Sequence, residues 1–305
     1  MQILINTHKL ATPTLDPIGL YLSPLLAQAN HSCAPNCTII FAGRVASLRS
    51  IAPIKAGDEL TLTYIDTTNP SYLRQAELRE RYFFDCRCPR CREPADDGYV
   101  CECGGAVRDD AETLVCGRCD KTTHRRQVLR GLETAAFDAA ENGTLEDVVA
   151  SLKAVYATEA YPATRQPLPA LHAAAVQQLL ENREYAEALR HQVLLYTTVD
   201  PVLYPPTHPV RVVRGWVLVC LMVEVMRSGG EVEWGRAVAG VLREVETAVK
   251  GSHGAESGFA KVVAAKGEEV REEMRRCGVE EGGGEGLVRV AGEVVGTLRR
   301  ELGAK

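Results

Sequence analysis

The chain has 305 residues, of which 46% are hydrophobic and 25% are charged. This is the composition of a globular protein with room for two or three compact units, and it excludes a disordered tail. The net charge of −5 and the pI near 5.9 exclude a general attraction to nucleic acid or to anionic membranes. The first residues lack a basic segment followed by a long apolar run, so we expect a protein of the nucleus or the cytoplasm that does not enter a membrane.

Short paired strands are predicted between residues 38 and 64. β-Branched and aromatic residues are frequent there, and Gly or Pro turns separate the runs. The predicted strands are Thr38 to Phe41, Arg44 to Ile51 and Leu60 to Tyr64. Apolar residues at helical spacing then predict a helix from Pro70 to Tyr82, which leads the chain into a cysteine-rich segment.

Nine of the eleven cysteines lie between residues 33 and 119, and seven of these form one triplet and two pairs with one or two residues between neighbours. Such spacing favours thiolates that converge on a tetrahedral ion at about 2.3 Å over disulfides, whose geometry close cysteines satisfy poorly. One complete set predicts a zinc ribbon with glycines beside its pairs: Cys101, Cys103, Cys116 and Cys119. His124 is a less favoured substitute ligand. Cys220 and Cys277 fall in helical patterns and are expected to be buried or half-buried thiols.

From about Arg125 the patterns become helical. Thr144-x-x-Asp147 is typical of a capping box, and a Tyr185-x-x-Ala188-Leu189 element is similar to tetratricopeptide hairpins, without a clean repeat. Further helices are predicted at Leu168 to Leu180, Glu184 to Tyr196, Pro209 to Met226, Val232 to Val249, Gly258 to Arg276 and Glu285 to Leu302. Gly278 to Gly286 is expected to be a flexible connector.

Several motifs occur in an order that resembles the C-terminal half of a SET-domain lysine methyltransferase with its post-SET cysteines. They are Asn30-His31-Ser32-Cys33, Pro35-Asn36-Cys37, Gly57-Asp58-Glu59-Leu60, Tyr64, Tyr82-x-Phe84 and Cys86-x-Cys88-x-x-Cys91. The chain is most similar to the SET-and-MYND-domain family, in which a helical domain follows the post-SET cysteines. The residues before Asn30 are too few for the N-terminal half of a SET domain or for a MYND module, so we expect residues 1–305 alone to have little activity.

The resemblance implies roles for individual residues. Asn30, His31, Phe84 and, less directly, Asn6 would contact S-adenosyl-L-methionine; Tyr64 would be the catalytic tyrosine, also beside the cofactor, and Tyr82 a wall of the lysine channel. Aromatic walls suit this chemistry, because they exclude water and so disfavour the ammonium form of a lysine whose free pKa is about 10.4. The alternative is that both tyrosines are core residues with hydroxyls at the surface.

The resemblance also implies the first metal site. Cys33 would complete the triplet Cys86, Cys88 and Cys91, and Cys37 would remain a buried thiol. A zinc ion there would hold the post-SET segment over the cofactor pocket. With the ribbon, this predicts two structural Zn²⁺ ions.

The sequence therefore predicts an α+β protein in four parts: the C-terminal portion of a SET domain (1–67), a post-SET zinc segment (68–95), a zinc-ribbon-like module (96–124) and a helical, tetratricopeptide-like domain (125–305). The implied function is S-adenosylmethionine-dependent N-methylation of a lysine in a histone or another protein, by a monomer. The alternative is a catalytically inactive zinc-binding module for protein interaction. A nucleic-acid-binding zinc protein would rest only on the arginines near Cys86 and at 125 and 126, so direct nucleic-acid binding is not expected.

Overall fold

The computed structural model describes residues 6–92, 98–110, 113–228, 233–276 and 285–304. Contacts between Cα atoms group these residues into two compact units, each built from separate stretches of the chain. The first unit contains the described residues of Met1–Asp96, Tyr204–Trp216 and Ala239–Glu281. The second contains those of Asp97–Leu203, Val217–Val238 and Gly282–Lys305. Small sheets and many helices confirm the α+β class, whereas the four domain boundaries stay a prediction.

Nine short strands form small separate sheets among the described residues. They are β1 (Thr7–Ala11), β2 (Pro17–Leu22), β3 (Asn30–His31), β4 (Cys37–Ala42), β5 (Val45–Ser50), β6 (Thr61–Leu62), β7 (Val107–Asp110), β8 (Thr113–Cys116) and β9 (Thr122–Arg125). β1 pairs with β2 and β4 with β5, both antiparallel, and β7, β8 and β9 form an antiparallel sheet. β3 pairs with β6 in parallel.

The strand pair β4–β5 confirms the predicted turn. Ala42 faces Val45 across the turn, and Gly43 has φ +58°, a left-handed conformation that glycine adopts at little cost. Cys37, Ile40 and Phe41 of β4 are buried. The thiol of Cys37 is therefore buried, as predicted.

The hairpin of β1 and β2 was not predicted from the sequence. Ile18, Leu20 and Leu22 of β2 are 61%, 63% and 56% exposed. An exposed strand lacks the alternation of apolar and polar residues by which a half-buried strand is recognised.

Eleven α-helices occur in the described part of the chain. They are α1 (Ser71–Tyr82), α2 (Pro89–Arg92), α3 (Arg126–Asn142), α4 (Leu145–Ala157), α5 (Leu168–Glu181), α6 (Tyr185–Leu194), α7 (Asp200–Leu203), α8 (Pro209–Arg227), α9 (Glu233–Ser252), α10 (Gly258–Arg276) and α11 (Glu285–Glu301). The predicted helices are confirmed to within a few residues, except that a π-helical turn, Leu195–Val199, continues α6. None of the described helices combines the length and apolar character that a membrane crossing requires.

Helix α1 carries the chain to the post-SET cysteines. Pro70 stands at its N-cap, where the missing N–H costs nothing, and Phe83 ends it with φ +62°. Its inner face buries Arg74 and Leu78, whose side chains point towards the residues that precede and follow the helix. The helix thus ties the segment before it to the cysteines after it.

In the first unit the hairpin strands also contact the region around the end of α9. The Arg49 guanidinium donates to the carbonyls of Lys250 and Gly251 at 3.2 and 2.9 Å, and Nε2 of His253 lies 2.9 Å from the carbonyl of Pro13. These contacts explain why part of the C-terminal region belongs to the first unit rather than to the other helices.

The second unit has a helical core with buried polar groups. Glu133 and Arg165 are 1% and 7% exposed and form an ion pair at 2.7 Å, to which the hydroxyls of Tyr99 and Tyr161 add hydrogen bonds at 2.6 and 3.1 Å. The predicted capping box of α4 is confirmed: the hydroxyl of Thr144 accepts from the N–H of Asp147, whose carboxylate accepts from the Thr144 N–H.

Two predictions on other residues have different outcomes. Cys220 lies on the exposed side of α8, so the prediction that its thiol is buried or half-buried is wrong. Residues 278 to 284 of the expected connector, and Cys277, lie outside the described residues.

Candidate active site and metal centres

The four predicted sulfurs of the first cysteine cluster converge. The Sγ atoms of Cys33, Cys86, Cys88 and Cys91 all lie within 4.8 Å of one another. Cys33 Sγ is 4.0 Å from Cys86 Sγ and 3.5 Å from Cys91 Sγ. Tetrahedral ligands with bonds of about 2.3 Å stand about 3.8 Å apart, so this donor set fits Zn²⁺.

The second cluster has the same four-sulfur geometry in a different setting. Cys101, Cys103, Cys116 and Cys119 also place their sulfurs within 4.8 Å of one another, with 3.7 Å between Cys101 and Cys119 and 3.5 Å between Cys103 and Cys116. The β7–β8–β9 sheet supplies Cys116, and the bend at Gly104, with φ +75°, brings the first pair towards it. Both predicted cysteine sets are therefore assembled, and the side chain of His124 lies outside the described residues.

The side chain of His31 links the first metal cluster to Tyr64. The backbone N–H of Tyr64 donates to His31 Nδ1 at 3.1 Å, so the ring proton of the neutral imidazole is on Nε2, which lies 3.3 Å from Cys33 Sγ. Burial, assisted by the positive charge of Arg74, lowers the pKa of His31 to about 4. The ring is therefore neutral near pH 7, and it fixes Tyr64 relative to the cysteines.

Asn30 and Asn36 hold the segment around Glu59. Asn30 Nδ2 donates to Glu59 Oε1 at 2.6 Å, and Asn36 Nδ2 donates to the Glu59 carbonyl at 2.8 Å. Asn36 Oδ1 accepts from the N–H of Thr61 at 2.9 Å. The β3–β6 pairing places Asn30 opposite Thr61 and so brings the first motif next to the strand that leads to Tyr64.

Tyr64 and Tyr82 form an aromatic pair. Their ring centroids are 4.9 Å apart with an interplanar angle of 37°. The Tyr64 hydroxyl donates to the carbonyl of Ala29 at 2.6 Å, and the Tyr82 hydroxyl donates to the carbonyl of Tyr64 at 3.3 Å. Burial raises the pKa of both phenols, so both are neutral donors across the physiological range.

The aromatic pair borders a cleft of ≈ 920 Å³ in the first unit. Asn6 and His8 line the cleft on the β1 side, and the carboxylates of Asp66, Glu77 and Glu80 line it on the side of α1. The predicted cofactor residues Asn30, His31 and Phe84 are not part of this lining. The predicted site residues therefore divide between the cleft and the region behind Tyr64.

Phe84 belongs to a small core that includes candidate metal ligands of the first cysteine set. Tyr64, Tyr82 and Phe84 pack against a buried group formed by Cys33, Ile65, Leu78 and Cys86. The Phe84 ring is centred 6.0 Å from the His31 ring. The predicted tyrosines, Phe84 and the first cysteine set thus form one contiguous cluster, with Asn6 placed apart from it at the cleft.

Sequence reasoning missed three groups that hold this site together. Asn36 and Glu59 occur in the recognised motifs, but the sequence predicts no role for them or for Arg74. A polar side chain within a recognised motif was the available signal for Asn36 and Glu59. Arg74 had a weaker signal, because it lies one helical turn before the apolar Leu78.

Known proteins support the resemblance drawn from the motifs. Residues 8–65 match the family model of the SET domain. Over 297 residues the chain is 29% identical to the histone-lysine N-methyltransferase ASHR1 of Arabidopsis thaliana, and the aligned region covers 88% of this chain and 59% of that protein. It is 42% identical over 90 residues to the SET domain and MYND-type zinc finger protein 6 of Schizosaccharomyces pombe, with coverage of 30% and 19%.

A third relative is the human histone-lysine N-methyltransferase SMYD3, with 35% identity over 96 residues, 32% of this chain and 22% of that protein. The chain spans less than two thirds of the length of these relatives. The predicted similarity to SET-and-MYND proteins is confirmed, and the chain carries a SET-domain match.

Proposed function

We propose that this chain carries the catalytic-tyrosine part of a protein-lysine N-methyltransferase that uses S-adenosyl-L-methionine. The observation that supports it most is the Tyr64–Tyr82 pair, 4.9 Å apart at the edge of the cleft. The SET-domain match ends at residue 65, next to Tyr64, and the relatives named above include histone-lysine methyltransferases. The substrate would be a lysine of a histone or of another protein.

The chemistry requires a neutral amine held in line with a methyl group and its leaving sulfur. When bound, S-adenosyl-L-methionine supplies that methyl group. Tyr64 and Tyr82 can surround a lysine side chain with apolar ring faces and exclude water from its nitrogen. The hydrogen bond to Ala29 and the His31 contact to the Tyr64 backbone hold Tyr64 in place.

The residues proposed to hold the cofactor fit it in different ways. Both ring nitrogens of His31 are engaged, by Tyr64 N–H and Cys33 Sγ, so His31 would meet the cofactor through its backbone. Asn30 keeps its side-chain oxygen for a ligand while its amide nitrogen donates to Glu59. Phe84 is half-buried and offers a ring face for the adenine, and Asn6 would contact the cofactor from the cleft.

Both cysteine sets would hold structural Zn²⁺, since each provides four sulfurs at tetrahedral spacing. The first ion would stabilise the small core that contains Tyr82 and Phe84. Its role in the reaction would thus be indirect, through the position of these aromatic side chains.

The test measures methyl transfer from radiolabelled S-adenosyl-L-methionine to core histones and to a cell protein extract. It uses residues 1–305 alone and a fusion of this chain to the N-terminal SET segment of a related methyltransferase. Tyr64→Phe should reduce transfer on the order of 100-fold, since it removes a positioned hydroxyl. Tyr21→Phe is the matched control, because that residue lies outside the cleft and its ring contacts Phe41.

Transfer that is unaffected by Tyr64→Phe would contradict the catalytic assignment. Transfer by neither protein, with two zinc ions bound, would favour the alternative of a noncatalytic zinc-binding interaction module.

A further inference from the structure

Arg74 is a charged side chain buried in the core of the first unit. It lies in the middle of α1 and is 1% exposed. Burial of a guanidinium costs several kcal/mol unless an opposite charge or several hydrogen bonds compensate. Its position therefore requires a partner.

Protein acceptors account for only part of the guanidinium. Nη1 donates to the carbonyl of Asn69 at 2.5 Å. Nε and Nη2 are buried and have no hydrogen-bond partner among the described residues. No carboxylate of the described chain lies within ion-pair distance of Arg74. The carbonyl of Asn69 is neutral, so it does not compensate the positive charge of the guanidinium.

The other fully buried arginine of the described chain shows the usual solution. Arg165 is 7% exposed, and its Nη1 lies 2.7 Å from the carboxylate of Glu133. Its guanidinium also stacks 3.9 Å from the centre of the Tyr99 ring. Arg74 has no such carboxylate, and the charged groups that face it are sulfurs.

Those sulfurs belong to the first cysteine cluster. Leu78, one turn further along the same buried face of α1, packs in the group that contains Cys33 and Cys86, so Arg74 lies on the side of the helix that faces this cluster. Four thiolates around one Zn²⁺ carry a net charge of −2, and Cys33 and Cys86 of this set are only 1% and 7% exposed. A buried dianion of this kind needs a nearby cation for the same reason that Arg74 needs an anion.

We infer that Arg74 is the counter-charge of the first metal centre, with the side of its guanidinium that lacks oxygen acceptors facing the thiolates of Cys33 and Cys91. The inference rests on the proposed zinc binding and extends it to a residue outside the ligand set. Arg74 is a positioning residue: it stabilises the metal–thiolate group, and through α1 it connects that group to Tyr82.

The experiment uses the full chain with Cys101→Ser, so that the first metal site is measured alone. The rate of zinc release to an excess of chelator is recorded for this parent and for Arg74→Met, Arg74→Lys, Leu78→Ala and Arg79→Met. Leu78 is the packing control, since it lies one turn further on the same face of α1 and is 0% exposed. Arg79 is the charge control, since it is exposed on the same helix and pairs with Asp85.

Arg74→Met should release zinc roughly 10- to 100-fold faster than the parent, the range seen when groups that support metal ligands are removed. Arg74→Lys keeps the charge, so its zinc-release rate should stay within a few-fold of the parent rate. The release rate of Arg79→Met should equal the parent rate. Leu78→Ala should release zinc more slowly than Arg74→Met. A parent-like rate for Arg74→Met, or an equal acceleration in Leu78→Ala, would overturn the inference.

Two further outcomes are separated by the same set. If circular dichroism shows that Arg74→Met is unfolded, the zinc-release rate of Arg74→Lys is the test. Zinc release as slow as from the parent supports the inference. Zinc release as fast as from Leu78→Ala overturns it. If the parent contains no zinc by elemental analysis, the zinc proposal itself fails, whereas zinc in the parent with no effect of Arg74 refutes only the counter-charge.

Discussion

The two cysteine clusters have the same four ligands but neutralise their charge differently. In the first, Cys33 and Cys86 are buried and the cation Arg74 faces the sulfurs. In the second, Cys103 is exposed and the nearest donors are backbone groups: the N–H of Arg118 donates to Cys116 Sγ at 3.3 Å. The side chain of Arg118 binds the Cys103 carbonyl at 3.1 Å instead of a sulfur.

Each set contains a thiol whose pKa is lowered and a thiol whose pKa is raised: Cys88 and Cys33 in the first, Cys116 and Cys119 in the second. Burial raises the pKa of Cys33, and the neighbouring cysteines raise it further. Backbone N–H groups of Arg118 and Cys119 lower the pKa of Cys116 to about 6. Each set has two buried cysteines, but only the second has an exposed one, Cys103, through which water reaches its sulfurs. The first set has no exposed cysteine, so a nearby opposite charge matters more there.

The largest expected difference follows from loss of each metal ion. The parent should contain two zinc ions by elemental analysis, and Cys88→Ser and Cys101→Ser should each contain one. Because metal binding in such sites contributes on the order of 10 kcal/mol to local folding, Cys88→Ser should release the segment of Tyr82 and Phe84. Limited proteolysis near residue 84 should therefore be fast in Cys88→Ser and parent-like in Cys101→Ser.

Equal proteolysis near residue 84 in both variants would show that the first ion does not hold this segment. A parent with one zinc ion would contradict the assignment of one of the two clusters.

A methyl group at Gly105 should affect only the second cluster. A Cβ atom there would lie 2.7 Å from Cys116 Sγ and 3.3 Å from Cys103 Sγ, closer than van der Waals contact allows. Gly105→Ala should therefore cost a few kcal/mol in the stability of the ribbon and lower its zinc content to below one equivalent, while the first site stays occupied. Elemental analysis of Gly105→Ala in a Cys88→Ser background, which lacks the first zinc ion, measures the occupancy of the second site alone.

Gly98→Ala is the matched control, because a Cβ atom at Gly98 meets no atom within 4 Å. Full zinc occupancy in Gly105→Ala would mean that the sulfurs are arranged differently from the observed cluster.

The smallest expected effect is a pH dependence at the first cluster. The pKa of His31 is about 4 in the folded chain, against about 6.5 when unfolded, so the unfolded state binds more protons between these values. The stability that neutral His31 contributes is complete above pH 6.5 and is lost as the pH falls towards 4. Thermal unfolding between pH 7 and 5.5 should show a smaller loss in His31→Gln, whose amide can still accept the Tyr64 N–H.

An identical pH dependence of parent and His31→Gln would indicate that the other histidines of this unit with lowered pKa values, His8, His208 and His253, account for the loss. The thermal midpoint at pH 7.5, where all these rings are neutral, provides the reference for both proteins.

Much of the local structure was predictable because its causes are local. The bounds of α10, Gly258 to Arg276, and the capping box at Thr144 agree with the sequence prediction. Hydrogen bonds within one helix and a side chain that caps its own backbone involve residues a few positions apart. The spacing of cysteines likewise predicted the second ligand set and three ligands of the first, since sulfurs two or three positions apart can reach the same ion. Cys33, 53 positions before Cys86, was implied only by the family resemblance.

The division of the C-terminal helices could not be predicted in this way. Described residues of Tyr204–Trp216 and Ala239–Glu281 belong to the first unit, although the sequence pattern assigns them to the same helical series as α5 and α6. Periodicity identifies the apolar face of a helix but does not identify the surface that covers it. The hydrogen bonds from Arg49 to the end of α9 join residues about 200 positions apart.

The sequence by itself determined the element types, the cysteine sets and the motif order that led to the SET resemblance. Only the tertiary structure decided that Arg74, in a helix that is basic by composition, faces thiolates instead of water. The reason is that the charge of a residue is written in the sequence, whereas the free energy of that charge depends on what surrounds it. In this protein the surroundings of Arg74 come from Cys33 and Cys91, 41 positions before it and 17 after it.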